Sequence, residues 1–204
     1  RQWRSAHTST ASDLPFSGGW ALFLGYELAG QIEPGLRLPP APDARIPVAL
    51  ALRCPAAIII DRTAQTTHLV AEPDRADLLD RLARDLQSTP GFSPAPVAAA
   101  QTEEDDPQRF LDGVARIHDH LRDGDTYQIN LSREWRLRCA KSPADVYASL
   151  RRANPAPFAG LLQYDDWAIA SSSPERLVEI RDGIAQTRPI AGTRPRLAGD
   201  DDAA

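Results

Sequence analysis

The sequence contains no methionine, only two cysteines and only four histidines in 204 residues. Cys54 and Cys139 have no motif spacing, and the histidines lack the spacing of metal ligands, so the pattern argues against a disulfide framework or a zinc site. Apolar runs such as 56–60 are far shorter than the ~20 residues of a membrane helix. The polar segment 1–13 has no signal-peptide pattern. We therefore expect a cytoplasmic protein without a membrane segment.

The chain also lacks an excess of basic residues and a natural start. Its net charge of −5 gives no basic surface for nucleic acid, so we expect no nucleic-acid partner. The missing initiator methionine and the acidic end, 199–204, lead us to expect a piece of a longer protein, truncated at both ends. With 42% hydrophobic residues the chain is expected to bury a core in one or two domains.

Hydrophobic periodicity predicts helices and strands without a regular βαβ rhythm, which favours an α+β fold with a largely antiparallel sheet. Segments with helical spacing are 26–32, 73–87, 107–123 and 143–153. Segments with strand character are 16–25, 48–53, 57–61, 66–71, 127–131, 158–164, 167–171, 177–180 and 184–187. The proline-rich segment that ends in acids, 89–106, is predicted to be a surface linker.

Three segments carry candidate chemistry. Glu175, after Pro174, can move protons if partial burial tunes its pKa, or it is a solvated carboxylate. Gly192 and Thr193 form a turn that can hold an anionic small molecule, or an ordinary surface turn. Gln128 and its neighbours on one strand face can fix polar substrate atoms, or they cap neighbouring loops.

Four motifs, in this order, resemble those of the chorismate-utilising enzymes. They are Gly124-Asp-Thr-Tyr-Gln-Ile-Asn-Leu-Ser132, Asn154-Pro-Ala-Pro-Phe158, Ser173-Pro-Glu-Arg176 and Pro189-Ile-Ala-Gly-Thr-Arg-Pro-Arg196. The resemblance implies part of the anthranilate synthase component I-like two-layer fold, with largely antiparallel sheets and helices. It also implies that 1–88 is the remainder of an N-terminal region, 89–106 a linker, and 107–204 the first, incomplete part of a chorismate-binding catalytic domain.

Within this family the sequence is most similar to aminodeoxychorismate synthase component I, the large subunit of para-aminobenzoate synthase. Gln128 stands where the water-using isochorismate and salicylate enzymes have a lysine base, and a neutral residue suits an enzyme that uses ammonia. Ala191 departs from the many aminodeoxychorismate synthases that have a ring-attacking lysine there. Anthranilate synthase shares the alanine, so the product stays open between the two.

The resemblance implies roles for individual residues. Glu175 is the implied acid/base residue near the departing C4 hydroxyl of chorismate. The implied substrate contacts are Gln128, Ala191, Gly192 and Thr193. A segment that lines a tryptophan pocket in relatives is matched by Tyr127, Pro157, Phe158 and Ala159, and the alternative is a hydrophobic turn that packs on the core. The family's Mg²⁺ is expected to bind glutamates beyond Ala204, so no metal ligand is expected within this chain.

The activity that the resemblance implies for the full-length parent is a transfer of nitrogen to chorismate. Ammonia from a glutamine amidotransferase subunit would replace the C4 hydroxyl and give 4-amino-4-deoxychorismate, for para-aminobenzoate and folate synthesis. One alternative is anthranilate synthase component I, in tryptophan synthesis. Another is a non-catalytic fragment that binds an aromatic amino acid such as tryptophan. We expect the chain by itself to be inactive, because it lacks the Mg²⁺ ligands and cations that would offset a dianionic substrate.

Overall fold

The computed structural model describes residues 14–39, 45–97 and 101–190. Two compact units divide the chain, one formed by Arg1–Phe92 and the other by Ser93–Ala204. Within the described residues the strands form five two-stranded sheets, and each pair is antiparallel. The α+β fold with antiparallel sheets, predicted from the sequence, is confirmed.

The first unit contains two strand pairs and short helices. Its strands are β1 (Gly19–Leu24), paired with β2 (Ala49–Cys54), and β3 (Ala56–Asp61), paired with β4 (Thr66–Ala71). Its α-helices are α1 (Ala29–Ile32) and α2 (Asp77–Ser88), each preceded by one 3-10 turn, Tyr26–Leu28 and Pro73–Arg75 respectively. The α2 helix packs against β3 and β4, as expected for an amphipathic helix with one leucine-rich face.

The second unit contains three strand pairs and two longer helices. Its strands are β5 (Gln101–Glu104) with β6 (Trp135–Arg138), β7 (Phe158–Tyr164) with β8 (Trp167–Ser173), and β9 (Glu179–Arg181) with β10 (Ile184–Gln186). Its helices are α3 (Pro107–Asp123) and α4 (Pro143–Ala153), and α4 packs against β7 and β8.

Local chemistry explains where the two longer helices begin and end. The Asp106 side chain accepts a hydrogen bond of 3.0 Å from the Gln108 amide and caps α3, and Pro107 occupies the first turn, where a missing N–H costs little. The helix ends at Gly124, whose φ of 78° lies in the left-handed region. The same N-terminal combination of cap and proline, Ser142 and Pro143, begins α4.

Two parts of the sequence-based prediction differ from the structure. The alternating segment 127–131 is not a strand, and none of the described residues from 127 to 133 has a backbone–backbone hydrogen bond. Alternation alone does not make a strand, because a strand requires a partner beside it. Conversely, the segment predicted as a linker contains β5, which pairs with the unpredicted β6. The strand β5 (QTEE) has no apolar alternation, whereas β6 (WRLR) does alternate but spans only four residues. Opposite charges face each other across the pair, with Glu103 opposite Arg136.

The hydrophobic core expected from the composition is absent from the described part of the chain. No hydrophobic residue is buried there. Sheets of two strands, some covered by one helix and others by none, leave one face of most strands uncovered. Glu72, with 9% of its surface exposed, is the single buried residue of the described chain. No helix of the part that the structure describes has both the length and the apolar character needed to cross a membrane.

The buried carboxylate of Glu72 is neutralised by Arg53, which donates a short hydrogen bond to it. Arg53 also donates to the Gly19 carbonyl at 2.8 Å and lies 5.5 Å from the centre of the Trp20 ring. The hydrogen bond to Glu72, and to a lesser extent its charge, raise the pKa of Arg53 further above its ordinary value. This cluster links β1 and β2 to the residue that follows β4.

Candidate active site

The register of the β7–β8 hairpin sets the geometry of the candidate site. Phe158 lies opposite Ser173 at one end of the hairpin, and Ala159 lies opposite Ser172. The chain leaves β8 at Ser173 and reaches Glu175 two residues later. The structure therefore brings the predicted acid/base residue to the same end of one hairpin as Pro157, Phe158 and Ala159, the residues of the predicted aromatic pocket.

Hydrogen bonds shape the turn that contains Glu175. The Ser173 hydroxyl donates to the Glu175 carbonyl at 2.9 Å and accepts from the Glu175 amide at 3.3 Å. Arg176 Nη1 donates to Glu179 Oε2 at 2.5 Å. Arg176 therefore pairs locally with Glu179.

The α4 helix supports the hairpin from one side. At the end of α4, the Asn154 carbonyl accepts a hydrogen bond of 2.5 Å from the Ser172 hydroxyl of β8. At its start, Asp145 accepts from the Ser142 hydroxyl at 2.7 Å and from the Ala95 amide at 2.9 Å. These bonds, chiefly the one from the Ser142 hydroxyl, hold the pKa of Asp145 below its ordinary value.

Sequence reasoning missed these supporting contacts. A serine cap followed three residues later by an acid is a known helix-start signal and would have predicted the contact between Ser142 and Asp145. The opposite charges of Arg176 and Glu179, three residues apart, suggest a local pair. The contact between Ser172 and Asn154 has no such signal, because it depends on how α4 packs on the sheet.

The Glu175 side chain is exposed rather than partly buried, which differs from the environment that the sequence analysis required for a tuned acid/base group. No described residue forms a hydrogen bond or an ion pair with its carboxylate. The turn therefore fixes the backbone at Glu175 and leaves the side chain open to a ligand.

Two of the predicted site residues are not joined to this hairpin in the described chain. Tyr127 is 97% exposed and Gln128 is also exposed. Neither side chain forms a hydrogen bond or a ring contact with another described residue. Three further predicted contacts, Ala191, Gly192 and Thr193, lie outside the described residues.

The described residues do not fit a metal ion. Across 14–39, 45–97 and 101–190 no three histidine, cysteine, aspartate or glutamate side chains are grouped so that they could hold one.

A comparison with protein families agrees with the order of motifs along the chain. The model for the family described as chorismate binding enzyme matches residues 1–204, the whole sequence. The chain belongs to the chorismate-binding enzyme family. Its Ser173–Arg176 turn and its β7–β8 hairpin are thus parts of a chorismate-binding enzyme fold.

Curated relatives with two different names are similar to this chain. It is 32% identical over 210 residues to "Anthranilate synthase component 1" of Pseudomonas aeruginosa, covering 92% of this chain and 42% of the relative. It is 33% identical over 193 residues to "Aminodeoxychorismate synthase component 1" of Salmonella typhimurium, covering 94% of this chain and 41% of the relative. The chain spans about two fifths of the length of these two relatives.

A solved structure supports the fold. The crystal structure of anthranilate synthase component I from Streptococcus pneumoniae superposes with a TM-score of 0.76 at 23% sequence identity. The superposition covers 88% of this chain and 43% of the other. The chain therefore has the fold of the corresponding part of anthranilate synthase component I, which confirms the fold expected from the resemblance.

Proposed function

We propose that this chain is part of an aminating chorismate-utilising enzyme that forms 4-amino-4-deoxychorismate from chorismate and ammonia. The observation that carries the proposal is the position of Glu175 in the turn after β8. Ser173 holds its backbone there, at the same end of the hairpin as Phe158 and Ala159. Membership of the chorismate-binding family supports chorismate as the substrate.

In this proposal Glu175 is the general acid. The C4–O bond of chorismate breaks, and the departing hydroxyl takes a proton from the Glu175 carboxyl and leaves as water. The nitrogen of ammonia forms the new C4–N bond and gives up one proton, which restores the carboxyl. Chorismate and ammonia are thereby converted into 4-amino-4-deoxychorismate and water. General acid–base catalysis of this kind contributes about 10²–10⁴-fold to a rate.

Further parts of the site are proposed to lie outside this chain. We expect the ammonia to come from a glutamine amidotransferase subunit, and Mg²⁺ to be held by ligands that follow residue 204. We also propose that a tryptophan molecule binds beside Phe158. A dianionic substrate needs positive charge that the described turn does not offer, because Arg176 is already paired with Glu179. We therefore expect the 204-residue chain alone to be inactive.

The second candidate function is anthranilate synthase component I. A specific observation favours it: residue 191 is alanine, as the resemblance implies for anthranilate synthase. An alanine side chain cannot act as a covalent nucleophile. The two kinds of curated relative are matched at similar identity, 32% and 33%. A third candidate, a non-catalytic module that binds an aromatic amino acid, draws on the position of Phe158 and Ala159 at the end of the hairpin.

Incubation of the full-length protein with chorismate, ammonia and Mg²⁺ distinguishes these candidates. We expect para-aminobenzoate to form only when aminodeoxychorismate lyase is added, as measured by liquid chromatography. Anthranilate fluorescence without the lyase would replace the proposal with the second candidate. The absence of any product would favour the third.

A substitution tests the role of Glu175. Glu175→Gln keeps the size of the side chain but cannot exchange the proton, so we expect kcat to fall about 10²–10⁴-fold. Glu103→Gln, at an exposed carboxylate on β5, is the matched control and should leave kcat unchanged. Full activity of Glu175→Gln would remove Glu175 from the mechanism.

A further inference from the structure

Two contacts hold the backbone on either side of Glu175. On the N-terminal side, the Ser173 hydroxyl bonds to both the amide and the carbonyl of Glu175 itself, at 3.3 and 2.9 Å. Pro174 lies between them, with a fixed φ and no N–H to donate. The serine hydroxyl is therefore the group that closes the turn and sets the direction in which the Glu175 side chain leaves the chain.

On the C-terminal side, Arg176 is anchored to β9. Its Nη1 atom donates to Glu179 Oε2 at 2.5 Å, and the two side chains are 26% and 36% exposed. Its Nε atom is buried and has no partner among the described residues. The guanidinium is thus partly enclosed and held by a charge-assisted bond, which restrains the residue directly after Glu175.

Neither contact reaches the carboxylate of Glu175. The bonds in this turn are made to the backbone of Glu175 and to neighbouring side chains, so they hold the backbone from which the carboxylate extends.

We propose that Ser173 is a positioning residue for Glu175, and that the Arg176–Glu179 pair restrains the same turn from its other side. The proposal rests on the proposed function, since it explains how the proposed general acid is oriented. Displacement of a catalytic group by about 1 Å costs up to about 10²-fold in rate, so loss of the hydroxyl should be visible in turnover.

The test compares Ser173→Ala, Ser173→Thr and Ser171→Ala in the full-length protein, with chorismate, ammonia and Mg²⁺. Ser171 lies on the same strand, opposite Gly160, and its hydroxyl has no hydrogen bond within the described residues. We expect Ser173→Ala to lower kcat about 10–100-fold, with KM for chorismate within about twofold and the melting temperature unchanged. Ser173→Thr, which keeps a hydroxyl, should recover most of the activity, and Ser171→Ala should behave as wild type.

A second set of variants covers the case in which Ser173→Ala fails to fold. Arg176→Gln and Glu179→Gln should each lower kcat, and the double variant should lose no more than the worse single variant, because both remove the same contact. The proposal is overturned if Ser173→Ala keeps kcat within about twofold of wild type, or if Ser173→Thr is as impaired as Ser173→Ala at wild-type stability. It is also overturned if the two single losses at Arg176 and Glu179 simply add.

Failure of the proposed function gives a different result from failure of this inference. A wild-type protein that forms no aminated product, or a fully active Glu175→Gln, contradicts the proposed function, and the positioning role falls with it. An active wild type with an inactive Glu175→Gln and an unaffected Ser173→Ala contradicts the positioning role alone.

Discussion

At the residue scale, the space beside Gly18 is occupied by the side chain of Glu72, which is paired with Arg53. Its φ is 123°, a conformation that side chains with a Cβ rarely adopt, and an added Cβ would lie 2.4 Å from Glu72 Cγ and 2.5 Å from Glu72 Oε1. Glu72 cannot easily move aside, because Arg53 holds its carboxylate. Gly124 also has a positive φ, of 78°, but no atom lies within 4 Å of its ideal Cβ. A Cβ at position 18 would therefore meet both backbone strain and a steric clash, whereas a Cβ at position 124 would meet backbone strain alone.

We expect Gly18→Ala to destabilise the full-length protein more than Gly124→Ala does. Gly124→Ala adds only the left-handed backbone cost, roughly 1–2 kcal/mol, whereas Gly18→Ala adds that kind of strain and a clash with a restrained side chain. Urea denaturation followed by tryptophan fluorescence measures both. Gly35→Ala is the control, since no atom within 4 Å would meet its Cβ and its φ is not positive. Equal effects at Gly18 and Gly124 would contradict the steric argument.

At the element scale, short polar contacts determine where helices and hairpins begin and turn. The hydroxyl of Ser142 caps α4 by accepting from the Asp145 amide at 3.2 Å. The β3–β4 hairpin turns through Asp61, whose Oδ1 accepts from the amides of Thr63 at 2.8 Å and Ala64 at 2.9 Å. Both contacts join residues that are close in sequence, which is why such elements are readable from sequence patterns.

Ser142→Ala is expected to weaken α4 by about 1 kcal/mol, because an amide at the helix start loses its acceptor. The α4 helix supports the β7–β8 hairpin through Asn154, so hydrogen exchange should also become faster at the end of β8 near Ser172. Mass-spectrometric hydrogen exchange of the full-length protein measures both effects. Ser142→Thr keeps a hydroxyl that can both accept from the Asp145 amide and donate to its carboxylate, and it should retain protection. Equal exchange in the two variants would argue against the cap.

The β3–β4 turn is expected to depend on pH. Hydrogen bonds from two amides, chiefly that of Ala64 and then that of Thr63, lower the pKa of Asp61 below its ordinary value of 3.8. Because the folded pKa lies below the unfolded one, the stabilisation is fully present above the unfolded pKa and is lost as the pH falls through the folded pKa. The amide chemical shifts of Thr63 and Ala64 should titrate with a midpoint below 3.8. Asp61→Asn should abolish that transition, and a midpoint at or above the ordinary value would contradict the bonds.

At the scale of the whole molecule, the feature that dominates is uncovered apolar surface. On one face of the β1–β2 pair, Trp20, Leu22 and Leu24 are 44%, 65% and 62% exposed. In the described residues no hydrophobic side chain is buried, so hydrophobic burial contributes less here than in an ordinary domain of this length.

We expect the 204-residue chain, produced alone, to be poorly soluble or to self-associate, because exposed apolar faces and open strand edges favour association. Light scattering coupled to size-exclusion chromatography checks this. Leu22→Lys with Leu24→Lys should reduce association if the β1 face is responsible. Gln87→Lys with Ser88→Lys, at two exposed positions of α2, adds the same charge and is the control. A monodisperse monomer with a sharp, cooperative thermal transition would contradict the expectation.

The sequence by itself determined the local elements and the family. The helix predicted over 107–123 agrees with α3, and the strands predicted over 158–164 and 167–171 agree with β7 and with most of β8. The caps and turns that bound these elements depend on neighbours in the chain. The order of motifs that ends in Ser173–Arg176 was likewise sufficient to predict the chorismate-binding family. Such features are readable because their physical causes lie within a few residues.

Only the tertiary structure decided which of these pieces have partners. The segment 127–131 has the alternation of a strand but no strand beside it among the described residues, whereas β5, which lacks alternation, pairs with β6. The exposure of Glu175 and the burial of Glu72 against Arg53 followed from packing. Pairing and burial depend on residues that are distant in the chain, so a local pattern does not determine them.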